Sequence, residues 1–245
     1  MKKLFKPNYL PWLVLAAGAV GLGLRIWLVC TPVDEKGLLP SGHPADTMLW
    51  ILTAAVLGLL LFATARLIQA PKYQFNFPPS LLSAIGCALG ACGLLINSVY
   101  FFLSYRDTLS TVAAVLGALG GLSLFYVGWC RWKGKETFSL CHVLICLFLM
   151  FRLISQYRLW SWDPQLQDYM FHLLAGVSLM LAAYHRATFD AGLGKRRPHV
   201  FFHLAAVYFC CLSLVGNDCI PFFIGCGAWM VTDLCSLVPM PKEVS

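Results

Sequence analysis

The segment FRLISQYRLWSWDPQLQDYMFH, residues 151–172, places Arg152, Arg158, Asp163, Asp168 and His172 between two long apolar runs. On helical geometry Arg152 lies about 15 Å below the rim of its run, and His172 about 12 Å below on the facing run. Asn97 falls some 13 Å below the end of another run, with Tyr100 one turn higher. Gln156 shares a helical face with Arg152. An arginine near mid-bilayer costs about 3 kcal/mol on insertion scales, so it turns toward a bundle interior or a water-filled cavity and takes partners there. No carboxylate within a run matches its depth on this side. Guanidinium binds carboxylate and phosphate through a two-pronged fork. Arg152, Gln156, Asn97, Tyr100 and His172 therefore form the candidate ligand-binding set, with Arg158 and Asp168 as a depth-matched pair at its mouth. The chemistry expected is capture of a small anionic or zwitterionic ligand from the outer side. The same residues also suit a structural part, with Arg152 bonding backbone carbonyls or Asp168 and Asn97 tying helices together.

A second constellation lies at the opposite ends of the runs. Of the six histidines, His142, His185, His199 and His203 fall there. His199 and His203 have HxxxH spacing, which puts both imidazoles on one helical face and within reach of one metal ion. His142 enters its run to a similar depth, and Asp233, near the end of the last run, could complete a metal site with these histidines. In "HVFFH" with one separate histidine, the chain resembles membrane hydrolases of the alkaline ceramidase and adiponectin receptor group, which use a three-histidine zinc site. That resemblance implies zinc-activated water at His142, His199 and His203, with Asp233 or Ser139 assisting proton transfer. The alternative for Asp233 is an ion pair with Arg66 or Arg186. The leading reading carries no metal and no cofactor.

The elements that must position these residues follow from composition. Hydrophobic residues make up 59% of the 245 and charged residues 12%, against about 25% charged in a soluble domain. Mean hydropathy is +0.73. Sparse charge between apolar runs of about 20 residues makes the bilayer the solvent and the helix the spanning element. The expected fold is all-α: a polytopic membrane helical bundle of about eight transmembrane helices in four hairpins. The expected spans are 9–30, 47–70, 80–104, 109–130, 138–161, 164–186, 199–216 and 219–238, in one integral membrane domain over 1–245. Asp163-Pro164 reads as the start of the sixth. The net charge of +7 is not a nucleic-acid signal. Lys2, Lys3, Lys6, Arg66, Lys72, Arg131, Lys133, Lys135, Arg186, Lys195, Arg196, Arg197 and Lys242 gather at alternate span ends. The positive-inside rule then places both termini in the cytoplasm, in a cell membrane.

The second, fourth and sixth spans share small central residues and a terminal arginine (Arg66, Arg131, Arg186), and the eighth carries Asp233 near the corresponding position. This suggests a helical-hairpin repeat, and Gly117 and Gly121 suit close helix packing. The eleven cysteines lie mostly inside apolar runs with no CxxC pair, and read as small hydrophobes. No phosphate-binding Gly loop, dinucleotide fingerprint, GxSxG or HExxH occurs. A small-molecule transporter or membrane ligand-binding component is the first expectation, and non-enzymatic. A subunit that acts through a membrane-protein partner is the second, and the zinc hydrolase the third. The lipid bilayer is the partner common to all three.

Overall fold

A computed structural model describes residues 9–31, 43–67, 76–104, 107–161, 169–216 and 219–237. It is a bundle of α-helices: α1 (Leu10–Val29), α2 (Pro44–Ala65), α3 (Leu81–Ser104), α4 (Thr108–Lys133), α5 (Ser139–Trp160), α6 (Met170–Asp190), α7 (Arg196–Leu212) and α8 (Ile220–Cys235). Among the described residues, α1 to α5 are long and apolar enough to cross a membrane by length and composition, and α8 is a shorter apolar helix. This marks an integral membrane protein.

Each consecutive pair from α3 to α8 packs together, and α8 returns to pack on α3, so six helices close into a ring. α1 and α2 lie against α7 outside that ring. α7 is therefore surrounded by α1, α2, α6 and α8. Most of its residues are buried, which is why a helix opening with two arginines and carrying two histidines sits inside an apolar bundle. Its start at Arg196 precedes the expected 199, because the basic residues form its first turn rather than a loop.

Small residues set the close approaches. A Cβ at Gly121 would meet Leu95 Cγ at 2.8 Å, and one at Gly225 would meet the Leu89 carbonyl oxygen at 2.5 Å. Without a hydrophobic drive between helices in lipid, such contacts supply dispersion energy that larger residues would block.

The two ends of the bundle are chemically distinct. One end carries Arg131, Lys133, Lys135, Arg186, Lys195, Arg196 and Arg197, and Arg131, Arg186 and Arg196 contact Pro78, Phe77 and Asn76. Ser80 N donates to Arg131 O, and Arg197 Nε donates to Leu67 O at 2.8 Å. This is the basic end. At the distal end Trp160 stacks on Tyr169 at 4.5 Å, and Ser213 Oγ donates to Phe171 O. His43 Nδ1 caps α2 by accepting from Ala45 N at 3.2 Å, which starts that helix at Pro44 rather than 47.

Candidate functional site

Two buried polar layers lie inside the ring. The distal layer contains the arginine set. Arg152 is 1% exposed. Its Nη1 donates to Gln156 Oε1 at 2.5 Å, and its Nε donates to Asn97 Oδ1 at 3.3 Å. Its guanidinium lies over Phe222 at 4.1 Å and Phe223 at 5.3 Å. Amide oxygens and ring faces thus take the place of a carboxylate. His172 is also buried and meets the Phe223 ring at 5.5 Å. Arg152, Asn97 and Gln156 come together as the sequence suggests, with His172 across the phenylalanine. Tyr100 is half-buried against Phe101. Arg158 pairs at the exposed rim with Asp107. A hydrogen bond from Ser110, with Arg158 beside it, holds the Asp107 carboxyl below the usual range. Asp168, like Asp163 and Pro164, lies outside the described residues. The central residues of this layer are buried from solvent, and the Arg152–Asn97 hydrogen bond joins α5 to α3.

The basic-end layer is richer. Each helix of the ring contributes: Ser83 from α3, Arg131 from α4, His142 from α5, Arg186 and Asp190 from α6, His199 and His203 from α7, and Asp233 from α8. The side chains of Arg131, Asp233, His142, Asp190, Arg186, His199 and His203 are all at most 2% exposed. Arg131 is engaged at every nitrogen. Its Nε donates to Ser83 Oγ at 3.0 Å, Nη1 to Pro78 O at 3.2 Å and Nη2 to Ser236 Oγ at 2.6 Å. Its Nη2 also lies 3.7 Å from Asp233 Oδ1. Arg186 stands between two carboxylates, with Nε 3.8 Å from Asp233 Oδ2 and Nη1 3.9 Å from Asp190 Oδ1. Its guanidinium stacks on Phe77 at 3.7 Å. Phe77 also packs edge-on to His199 and Phe189, closing the layer from the basic end.

The arginines of α4 and α6, at corresponding places in their helices, thus converge on the aspartate that α8 carries there. Arg66, the corresponding residue of α2, lies instead over its own Phe62. Asp233 pairs with Arg186, as one sequence alternative had it, and with Arg131, which that alternative omitted.

The histidines divide into two groups. His142 Nδ1 contacts Asp190 Oδ2 at 2.8 Å, one layer partner away from the HxxxH pair. The three-histidine set is therefore not assembled; Asp233 stands where the third histidine would be. His203 Nδ1 is 2.9 Å from the His199 carbonyl oxygen. A carbonyl only accepts, so Nδ1 carries the proton and the neutral ring keeps its lone pair on Nε2. That Nε2 is 3.5 Å from Asp233 Oδ2, and His199 Nε2 is 3.7 Å from the same oxygen. None of these three buried atoms has a hydrogen-bond partner. His199, His203 and Asp233 offer ligand atoms that all lie within 4.8 Å of one another.

These spacings discriminate between occupants. Donors on a zinc-sized ion at about 2.0–2.1 Å are about 3.3 Å apart at the tetrahedral angle. An octahedral ion brings adjacent donors to about 3.0 Å. A water held at about 2.8 Å by two partners in tetrahedral geometry separates them by about 4.5 Å. Separations of 3.5 and 3.7 Å are too long for a direct hydrogen bond and fit the first case best. Two neutral imidazoles and a carboxylate are a donor set that zinc takes. A backbone carbonyl holding the far nitrogen of a ligand histidine is the usual outer support of such a site.

An apolar groove of about 520 Å³ runs along α5 and α6, between Ser139 and Ala191 at the basic end and Met150 deeper in. Its lining is almost wholly apolar, and it is about 16 Å long on the helical rise.

Sequence reasoning missed Asp190 and the part played by Arg131. Both are charged residues at helix ends, where charge ordinarily marks the membrane surface. The spacing of Arg186 and Asp190, four apart on one helix, was the available signal.

No protein family matches the chain, and neither a curated protein nor a solved structure matches it.

Proposed function

We propose that this protein is an intramembrane metalloenzyme of the hydrolase class, with zinc held by His199, His203 and Asp233. The observation that carries the reading is the convergence of three buried ligand atoms, none hydrogen-bonded, all within 4.8 Å of one another, with 3.5 and 3.7 Å between the histidines and Asp233. Three protein ligands leave a fourth position for water, the pattern of catalytic rather than structural zinc. Zinc supplies a water acidified to a pKa of about 7 and an electrophilic contact for a carbonyl or phosphoryl oxygen.

The chain's own residues do the positioning. The carbonyl of His199 fixes the His203 tautomer. Arg131, tied to α3, α8 and the 76–80 segment, sets the place of Asp233. Asp190 orients His142, whose Nε2 has no hydrogen-bond partner and is available as a proton acceptor. In this reading all eight helices span the bilayer. The polar content of α6 and α7 is tolerated because it faces the ring interior. The basic end then faces the cytoplasm by the positive-inside rule, with both termini there.

The test is cobalt substitution. Apo protein titrated with Co²⁺ is expected to develop the strong visible absorption of a tetrahedral ion, saturating near one equivalent and abolished in His203→Gln. Weak octahedral-type absorption, or an unchanged spectrum in His203→Gln, would overturn the assignment.

A further inference from the structure

The end of α4 and the turn after it read WCRWKGKE, residues 129–136. Trp129 and Trp132 are three apart and share a helical face, and both are exposed. α4 ends at Lys133, and Gly134 follows in the left-handed conformation at φ 67°. That turn lets Lys135 N donate to Cys130 O at 2.9 Å. It reverses the chain, so the Lys135 ammonium lies over the Trp129 ring at 5.3 Å while that of Lys133 lies over Trp132 at 4.3 Å. A side chain at position 134 would be strained in this conformation, and its Cβ would meet Pro79 Cγ at 2.7 Å. A fixed turn thus holds both ammoniums on one aromatic face. The positive-inside rule asks only for charge near a span end and needs no such turn.

The same two tryptophans form the mouth of a groove. It has a volume of about 270 Å³ and runs between α3 and α4, with Leu81, Ala84 and Ala88 on one wall and Phe125, Trp129 and Trp132 on the other. On the helical rise it extends about 10 Å from the basic end toward the middle of the spans. Leu81, Phe125, Trp129 and Trp132 are exposed, so the groove faces hydrocarbon in a bilayer. Arg131 lies between the tryptophans in sequence but turns into the ring, where Asp233 matches its charge. Glu136 opposes the two lysines in part, and the mouth keeps a net positive charge.

We propose that this surface binds an anionic phospholipid, with its phosphate against Lys133 and Lys135 and the upper part of one acyl chain between α3 and α4. An ammonium resting on a ring keeps donors for phosphate oxygens. Tryptophan favours the level where headgroup meets chain. A soluble anion leaves the apolar groove unused, and a lipid without net charge gains little from the lysines. The anionic phospholipid uses both halves of the surface. This site is separate from the metal centre and does not depend on it.

The experiment is native mass spectrometry of the full chain, released from neutral detergent after titration with phosphatidylglycerol or with phosphatidylcholine of the same acyl chains. The first phosphatidylglycerol is expected to bind on the order of tenfold tighter than the first phosphatidylcholine, at about one kcal/mol for each lysine less the opposition of Glu136. Lys133→Gln/Lys135→Gln should bring the two lipids to within about twofold of one another. Lys195→Gln/Arg197→Gln removes two exposed positive charges from the same end of the bundle and should keep the wild-type preference. Ala88→Phe fills the groove and should weaken both lipids. Inorganic phosphate at the lipid concentration should displace neither. Equal binding of the two lipids by wild type overturns the proposal. So does a preference that falls as far in Lys195→Gln/Arg197→Gln as in the 133/135 variant, which marks diffuse surface charge. Displacement by inorganic phosphate, or an Ala88→Phe variant that binds like wild type, overturns the seating of a lipid in the groove.

Discussion

Asp233→Asn tests the charge architecture of the basic-end layer. The substitution is nearly isosteric, so its effect is electrostatic. It leaves two buried arginines facing one carboxylate, Asp190. Breaking a buried pair by removing one partner costs about 3–5 kcal/mol. Arg131 keeps Ser83, Pro78 O and Ser236 as partners, and Arg186 keeps Asp190 and the Phe77 ring, so about 3 kcal/mol, the lower end of that range, is expected. Arg186→Gln alone leaves Asp233 with only the 3.7 Å contact to Arg131 for compensation by a full charge, at a similar cost. The double variant is again neutral. It should be destabilised by about 3 kcal/mol rather than 6, a coupling of about 3 kcal/mol, at the upper end of pairwise coupling energies. The assay is reversible unfolding in mixed micelles with a chelator present, so that no metal contributes. Additivity of the two single changes within about 0.5 kcal/mol would refute the coupling.

Two further outcomes follow from the packing and the distal layer. A Cβ at Gly86 would lie 1.7 Å from Thr232 Oγ1 on α8, whereas at Gly23 it meets nothing within 4 Å. Gly86→Ala should therefore cost about 1–3 kcal/mol, and Gly23→Ala should be neutral or stabilise by up to about 1 kcal/mol, both read by thermal unfolding. Arg152→Met removes the donor from Asn97 Oδ1 and Gln156 Oε1. It should destabilise by about 1–3 kcal/mol while zinc stoichiometry stays at the wild-type value, because Arg152 takes no part in the proposed metal centre.

The positions of the helices were largely legible in the sequence because the bilayer imposes one length and one solvent on every spanning element. Expected spans 9–30, 80–104 and 138–161 correspond to helices Leu10–Val29, Leu81–Ser104 and Ser139–Trp160. Departures occur where a local partner moves an end, as with the His43 cap of α2 and the basic first turn of α7. Depth was legible for the same reason: a rise per residue places Asn97 near Arg152, and His142 near His203, without knowledge of the fold. Direction around the helix axis was not. His142 shares the depth of His199 and His203, but its side chain meets α6, where Asp190 holds it. Which neighbour a face meets depends on the order of helices around the ring, and in particular on α8 closing it against α3. No local pattern encodes that closure. Asn97 and Gln156 beside Arg152 were legible from depth and helical face, whereas the Phe222 and Phe223 rings over its guanidinium were not, because they come from α8.

The most direct measurement is the zinc content of purified protein, loaded with excess zinc and desalted, for wild type, His142→Ala and His199→Ala/His203→Ala. Folding of each variant is checked by its helical circular dichroism and elution volume. Wild type and His142→Ala should each retain about one zinc per chain, and the double variant none. Retention of zinc by the folded double variant, loss of it in His142→Ala, or a wild type that retains none would contradict a centre built from His199, His203 and Asp233.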